Sequence, residues 1–598
     1  MLCETLRVIS LTTLFLLAGS PVGAAVISTR QTNSSCRAVL GDSNWPSQDV
    51  WTQLNQTVSG RLIATIPQAA VCHREGYGGV QYDEAACAAL AKVWDFPKTY
   101  TPFSGEIMNP YYQNASCNPY YSINGTCELG NYVSYAISVS GVEDVVAGIK
   151  FSQENNVRLV IKNTGHDFLG KSTGKGGLSL WTRNLQDMEI IPTYNSSSYT
   201  GPAIKIGAGR SGGDALLLAH DNGYRLVTGD CPTVGIAGGY ASGGGHGYLN
   251  GAYGMAADNV LEWEVVTADG QHLIATPTEN ADLYWALSGG GAGTYAVVLS
   301  MTTKIYPDDG PIGAATLSFN ASSTSSASAE IYAAGLQAWW EFLPSIIDTG
   351  ATPAFNFING QFLVFNTTAP GKTADDMALI YEPYLAKLRS LNINFQFATY
   401  AAPSFFGHYQ VANGPLPDGP YVSSMLFNSR LIPRVISESS ERSRNLTTAL
   451  ITAMDTDPAA NWQFGCMGLN VNSTRIQYPD NSVISYWREA VAVCLDFSIY
   501  DWTIPEPAML ERRQDLASVV HPLIEAETQE SGAYLNEADP LVYPKDNPGK
   551  WQSAFYGTNY QRLREIKDKY DPTSVFYAYT AVGSEDWVED GEGRLCRA

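Results

Sequence analysis

Histidine is scarce in this chain. There are seven in 598 residues, namely His73, His166, His220, His246, His272, His408 and His521. No two stand at H-x-x-x-H spacing and no two cysteines stand at C-x-x-C spacing. The usual sequence signatures of zinc hydrolases and zinc ribbons are therefore missing, and a bound metal is not indicated. Charge is thin as well: charged residues make up 16%, and 36 Lys and Arg face 58 Asp and Glu for a formal net charge of −22. Such an acidic surface repels a phosphate backbone, which excludes nucleic acid from the expected partners. Beyond the first residues no stretch approaches the ~18 uninterrupted apolar residues of a membrane helix, so no membrane association is expected. No repeat of fixed period and no long low-complexity tract is present; Ser322 to Ser328 is a short serine-rich linker candidate.

What is present points to export. The opening "MLCETLRVISLTTLFLLAGSPVGAA" places one arginine before an apolar run and small residues after it. That order reads as a secretory signal peptide over residues 1–24, cut near Ala24 and too short to span a bilayer. Asn-x-Ser/Thr sequons begin at Asn33, Asn55, Asn114, Asn124, Asn195, Asn320, Asn366, Asn445 and Asn472, as in an extracellular glycoprotein. Once Cys3 leaves with the signal peptide, Cys36, Cys72, Cys87, Cys117, Cys127, Cys231, Cys466, Cys494 and Cys596 remain. The number is odd, so at least one is unpaired within the chain. Four crowd between Cys72 and Cys127, as in a stapled secreted segment. Cys231 stands alone in a glycine-rich turn and is the expected odd one.

The pattern along the chain is α+β. From Tyr132, "YVSYAISV" reads as a strand, "GVEDVVAGIKFSQENN" as a helix with Val142, Val145, Val146 and Ile149 at helical spacing, and "VRLVIKN" as a short buried strand. "AIKIGAG" is a further strand and "GGDALLLAHDNG" a helix closed by Gly223. "NVLEWEVVTADGQHLIAT" is a hairpin turning at Asp269-Gly270, and "ADLYWALSGGGAGTYAVVLSMTTKIYP" runs helix, glycine loop, strand. After Pro311 the helices "YAAGLQAWWEFLPSI" and "TADDMALIYEPYLAKLRSL" alternate with the aromatic strands "PAFNFINGQFLVFNTT" and "NINFQFATYAAP". The expected organisation is a first α+β domain to about residue 310, a second to about residue 545, and a C-terminal helix, "NYQRLREIKDKYDP", returning to the first.

Three glycine motifs compete for the chemistry. "GGGAGTYA" holds G-x-G-x-x-A at Gly291, Gly293 and Ala296, but it follows a helix and precedes a strand, the reverse of a dinucleotide fingerprint. "GRSGG" fits G-x-S-x-G in a strand–turn–helix context, with Ser211 as a hydrolase nucleophile and His408 or His521 downstream. That reading leaves unexplained the glycines around "IKNTGHDFLGKST", which carries His166, and "GDCPTVGIAGGYASGGGHG", which carries Cys231. Small residues let backbone N–H groups turn toward an anion, and an imidazole and a thiol on two such loops are two nucleophiles held against one cofactor.

At these residues the chain resembles a known family. "RLVIKNTGHDFLGKS" is similar to the pyrophosphate loop of FAD-linked oxidases of the vanillyl-alcohol-oxidase superfamily, with its PCMH-type FAD-binding domain. "CPTVGIAGGYASGGGHG" followed by "YGMAADNVL", then "DLYWALSGGGAGTYAVV" and "NYQRLREIKDKYDP", resemble the berberine-bridge-enzyme-like branch. The resemblance runs from about Tyr132 to the end. It implies an α+β protein of two domains: a PCMH-type FAD-binding domain over 131–310, prefaced by a disulfide-stapled segment over 25–130, and a substrate domain over 311–545 built on an antiparallel sheet with helices. Residues 546–598 would be the berberine-bridge-like return.

The resemblance further implies FAD attached twice, through His166 to the 8α position and through Cys231 to C6. Asn163, Thr164, Gly165 and Asp167 would follow the pyrophosphate. Val234 would sit at an oxygen-gatekeeper position beside Gly235, with Gly239, Tyr240 and Gly244 along the flavin. Asp258, Asn259 and Val260, with the Gly290 to Thr294 loop, would line the adenine and ribose side, and Asn559 and Tyr560 would approach the isoalloxazine. Many relatives carry a histidine eight residues after the cysteine; here that place holds Gly239, followed by Tyr240, and His246 nearby reads as structural. For the base, "SGAYLNEAD" keeps Tyr534 and Asn536 of a family strand end but has Glu537 where a second tyrosine is usual, so Tyr534, Glu537 and Asp539 are the catalytic candidates. Trp339, Phe355 and Phe357 read as core rather than as a sugar platform. The implied protein is a secreted, monomeric oxidase of a small-molecule alcohol (saccharide, phenolic or aliphatic) that passes hydride to flavin N5 and is reoxidised by O2 to give H2O2. A dehydrogenase on the same scaffold is the alternative.

Overall fold

The computed structural model describes residues 36–113, 117–321, 326–472 and 474–598. The expected signal peptide and the sequons at Asn33 and Asn114 lie outside the described residues. No helix among the described residues is long and apolar enough to cross a membrane.

The first half carries two sheets. In the smaller, the strands Leu62–Ala64, Tyr135–Ser138, Leu178–Trp181 and Leu159–Lys162 lie side by side in that order, the last three parallel. Parallel neighbours need a crossover. The helix Val142–Asn155 connects Tyr135–Ser138 to Leu159–Lys162 and buries Val145, Ile149 and Phe151. Gly148 lets that helix close on the sheet, since a Cβ there would lie 2.5 Å from a Leu180 methyl. The larger sheet is antiparallel, in the order Met188–Asn195, Thr200–Gly207, Val297–Lys304, Val260–Val266, His272–Ala275. Its last pair is the hairpin expected around Asp269-Gly270.

The second half is one antiparallel sheet of seven strands between Ile312 and Ile499. Its strands alternate as a sheet with two covered faces must. Phe355, Phe357 and Phe362 are fully buried against Trp339 and Trp340 of the helix Ser326–Ile347. Ala354 and Asn356, alternating with Phe355 and Phe357 along the strand, and Leu363 and Phe365 on the neighbouring strand line a large cavity instead. The aromatics Trp339, Phe355 and Phe357 are therefore core, with Trp339 and Phe355 edge to face at 5.0 Å.

The C-terminal segment returns to the first half. Phe576 bridges in parallel to Leu159. Lys567, on the helix Tyr560–Tyr570, is buried; its ammonium donates to the Thr294 and Phe576 carbonyls, each at 2.7 Å, and to Asp571 at 2.6 Å. Four disulfides form: Cys36–Cys596, Cys72–Cys87, Cys117–Cys127 and Cys466–Cys494. Among the described residues Cys231 is the free cysteine, as the odd count anticipated.

The aromatic cluster under the seven-stranded sheet sets a test. Trp339→Ala should cost about 3–5 kcal/mol of stability through lost burial and the cavity left behind, read from chemical denaturation followed by fluorescence.

Candidate functional site: a cavity between two glycine loops and the sheet

A cavity of about 710 Å³ lies between the loops of the first half and the exposed face of the seven-stranded sheet. One wall is the loop after the strand Leu159–Lys162, with Asn163, Thr164, Gly165, His166 and Asp167; the other is the stretch from Gly229 to Tyr240. The two meet closely. Asn163 donates through its amide nitrogen to the Ala208 carbonyl, and a Cβ on Gly235 would lie 2.3 Å from that nitrogen. No side chain larger than hydrogen fits at Gly235. Gly165 is held at φ +87°, a left-handed conformation that favours glycine.

The two nucleophiles face each other across Thr233. Its hydroxyl lies 2.8 Å from His166 Nε2 and 3.4 Å from Cys231 Sγ. Burial, with the Lys162 ammonium beneath the loop, pulls the His166 imidazole down to about 3, so it is neutral. Burial pushes the Cys231 thiol up to about 12, against the opposing Thr233 hydrogen bond. Asp167 does not present a free carboxylate: it accepts the backbone N–H groups of Leu169 at 3.1 Å, Lys171 at 2.6 Å and Ser172 at 3.0 Å, and so shapes the loop. The Asn163 amide oxygen is buried and has no partner in the structure, so it is open to a bound group. An unsatisfied amide, a glycine wall that excludes side chains, and a neutral imidazole and thiol facing one space fit a flat, polyoxygenated cofactor such as FAD.

Of the three base candidates, two reach the cavity. Glu537 lies half-buried in its wall, and its carboxylate oxygens are 3.0 and 3.1 Å from His246 Nε2. Burial alone would lower that imidazole, but the Glu537 carboxylate outweighs it and raises the pKa, with Asp230 adding to the effect. Asp230, directly before Cys231, is itself raised by burial. His246 therefore lies in the cavity wall against an acid, which corrects its reading as a merely structural residue. Asp230 gave no motif signal beyond its place beside Cys231. Tyr534 also lines the cavity, but burial raises its phenol far above the usual range, and the Asn536 amide donates to its oxygen at 2.8 Å. Its ring packs edge-on to His246 at 5.1 Å and to Trp487 at 5.5 Å. Asp539 is placed elsewhere, buried and paired with Arg513 Nε at 2.8 Å. It is spent on that ion pair and lies off the cavity wall.

Other expected contacts also move. Val234, Gly235, Gly239 and Tyr240 line the cavity. The Tyr240 hydroxyl donates to the His246 carbonyl at 3.1 Å, so it braces its own loop. Gly244, at φ +113°, turns the chain behind the wall. Asp258, Asn259 and Val260 lie outside the lining. Asp258 is 1% exposed and forks onto the Arg488 guanidinium at 2.7 Å through both oxygens, and Asn259 donates to the Met255 carbonyl at 2.8 Å. Neither Asn559 nor Tyr560 reaches the cavity: Asn559 donates to the Ser482 carbonyl at 3.2 Å and Tyr560 to Glu585 at 2.5 Å. In their place Ala292 and Gly293 of the Gly290 to Thr294 loop, and Phe576, Tyr577 and Ala578 of the C-terminal segment, form the wall. The loop and the C-terminal return are both expected from the sequence; the particular positions Phe576, Tyr577 and Ala578 carry no local pattern.

Ser211 is no nucleophile. It caps the helix Gly212–Asp221 in a reciprocal capping box, its hydroxyl donating to Asp214 at 2.8 Å. His408 bonds Thr368, and His521 bonds Asp496 and Asn428, so neither is hydrogen-bonded to Ser211. Among the described residues no group of His, Cys, Asp and Glu is placed to hold a metal ion.

The comparisons agree with this geometry. Residues 133–276 match the FAD binding domain family, and residues 533–583 match the family described as Berberine and berberine like. The chain thus belongs to the berberine-bridge-enzyme-like, vanillyl-alcohol-oxidase-type FAD-linked oxidases, with their two-domain α+β PCMH-type fold, and is an FAD-dependent oxidoreductase acting on an organic substrate. It is 60% identical to an FAD-linked oxidoreductase, orf1, of Neocamarosporium betae over 98% of this chain and 100% of the relative. It is 45% identical to a bifunctional decalin synthase, calF, of Penicillium decumbens over 96% of this chain and 97% of the relative. The crystal structure of the VAO-type flavoprotein MtVAO615 from Myceliophthora thermophila superposes with a TM-score of 0.89 at 43% identity, covering 94% of this chain and all of that one.

Two tests follow from the buried pairs. Removing Arg488 (Arg488→Ala) leaves the Asp258 carboxylate buried and unpaired, and should cost about 3–5 kcal/mol in chemical denaturation. The His246–Glu537 pair holds the imidazole pKa above its ordinary 6.5. Its stabilisation is complete below that value and is lost as pH rises through the raised folded pKa. A Tm–pH profile should therefore fall across that window in the wild type, and the fall should disappear in Glu537→Gln.

Proposed function

We propose that the protein is an exported flavoprotein oxidase that holds FAD by two covalent bonds, through His166 and Cys231, and oxidises an apolar alcohol while O2 is reduced to H2O2. The observation that carries the reading is the placement of a neutral imidazole and a buried thiol on opposite loops of one cavity, both against Thr233. FAD, when bound, supplies the hydride acceptor and the route to O2.

The chain's own residues supply the rest. Asn163, Thr164, Gly165 and Gly235 form the wall against which the cofactor lies. Glu537 takes the proton of the substrate hydroxyl, because it is the carboxylate at the cavity wall that is not consumed by an arginine or by backbone N–H groups. His246, with its Nε2 at 3.0 Å, holds that carboxylate in place. Tyr534 and Asn536 are positioning residues: the Asn536 amide bonds both Tyr534 and the Gly239 carbonyl, the latter at 2.7 Å. Val234 stands at the wall beside Cys231 as the small residue controlling access of O2.

The sheet side of the cavity favours an apolar substrate over a saccharide. It is built from Leu363, Phe365, Phe427, Met467, Leu495 and Phe497, without a tryptophan platform or a row of charged side chains. The similarity to a relative called a decalin synthase supports a carbon-rich substrate of this kind. Export is supported by the four disulfides, bonds that persist in oxidising compartments.

Intact mass of the denatured protein tests the attachment. His166→Ala and Cys231→Ala should each keep covalent FAD, and the double variant should carry none. Anaerobic bleaching of the flavin tests the base: Glu537→Gln should slow reduction by an apolar alcohol about 10²–10⁴-fold, while a saccharide panel should leave the flavin oxidised even in the wild type.

A further inference from the structure

The contacts around Thr233 carry one step more, and the inference rests on the reading of His166 and Cys231 as the two attachment points. Thr233 is 7% exposed, two residues beyond Cys231 and 67 beyond His166. A hydroxyl carries one proton and two lone pairs, so it can engage both neighbours at once. It touches the imidazole through Nε2, at 2.8 Å, which leaves Nδ1 as the ring nitrogen open to the cavity. It touches the sulfur at 3.4 Å, within hydrogen-bond range for sulfur. Both nucleophiles are neutral in this environment, so each must shed a proton as its bond forms.

We propose that Thr233 is the positioning residue for double attachment of the flavin, and that its hydroxyl carries the thiol proton away as the sulfur bond forms. The balance is simple. In each attachment an N–H or S–H hydrogen and one flavin C–H hydrogen are lost, an N–C or S–C bond forms, two electrons pass into the flavin, and O2 removes them as H2O2. At the imidazole, Thr233 accepts from Nε2–H and so keeps the Nδ1 lone pair available. Once Nδ1 is bonded and Nε2 has lost its proton, Nε2 becomes an acceptor. The Thr233 hydroxyl then donates to Nε2 and accepts from the thiol, so the thiol proton passes through it to the ring. In His166→Ala solvent takes the place of Nε2, and the sulfur bond forms more slowly.

The test uses the full chain, isolated from expression with its flavin. Thr233→Val keeps the shape and removes the hydroxyl; Thr233→Ser restores the hydroxyl. Each is denatured, alkylated at free thiols and measured by intact mass and peptide mapping. The wild type should carry FAD less four hydrogens with Cys231 unreactive to the alkylating reagent. Thr233→Val should carry FAD less two hydrogens, joined through His166 alone, with at least a tenfold gain in alkylated Cys231. Thr233→Ser should return to the wild-type pattern, which a purely space-filling role would not produce. A fully doubly bonded Thr233→Val overturns the assignment of Thr233, as does a Thr233→Ser that behaves like Thr233→Val. A wild type with no covalent flavin mass overturns the reading of His166 and Cys231 beneath it, which separates the two failures.

Discussion

The close approach of two loops at Gly235 is the constraint on which the site depends. A Cβ there would lie 2.3 Å from the Asn163 amide nitrogen, so a side chain at position 235 would push the Asn163 amide out of its place between the stretch carrying Cys231 and the stretch carrying His166. That contact sets the depth of the cavity wall, brings Thr233 between the imidazole and the thiol, and leaves the Asn163 oxygen unsatisfied toward the interior. Buried polar groups are costly when left unpaired. An orphaned amide beside two nucleophiles marks where a cofactor contributes to the stability of the folded protein as well as to its chemistry.

A second constraint is electrostatic. Asp230 and His246, from one glycine-rich stretch, meet Glu537 from near the other end of the chain in the cavity wall. Burial raises the Asp230 carboxyl and alone would lower the His246 imidazole, but the Glu537 contact at 3.0 Å outweighs it there and raises the imidazole. Elsewhere the same problem is solved with arginine: Arg488 holds Asp258 and Arg513 holds Asp539. Those carboxylates are structural links away from the cavity wall, whereas Glu537 lines the cavity with both oxygens against the His246 imidazole.

Much of the fold was legible because it is local. The spacing of Val145 and Ile149 predicts the crossover helix, Asp269-Gly270 predicts the hairpin, and the strand alternation through Phe355 and Phe357 predicts one buried face. The candidate site was legible in part. His166 and Cys231 stand out because glycines surround them, and Cys231 also because the cysteine count is odd. The residues misplaced from sequence failed for a common reason. Asp258, Asp539, Asn559 and Tyr560 sit in segments that resemble family blocks, but their side chains point to partners that only folding supplies. Phe576 to Ala578 and His246 reach the cavity by chain return and by a turn at glycines, neither of which leaves a periodic signal.

The sequence by itself determined the α+β pattern, the presence of one unpaired cysteine, and two glycine-rich loops that carry an imidazole and a thiol. These follow from short-range rules: periodicity, glycine conformational freedom and residue counting. Tertiary structure alone decided which carboxylate faces the cavity, that Thr233 stands between the two nucleophiles, and that the chamber opposite them is apolar. Those are properties of surfaces brought together from residues hundreds of positions apart, where burial and the choice of partner, rather than residue type, set each group's charge and role.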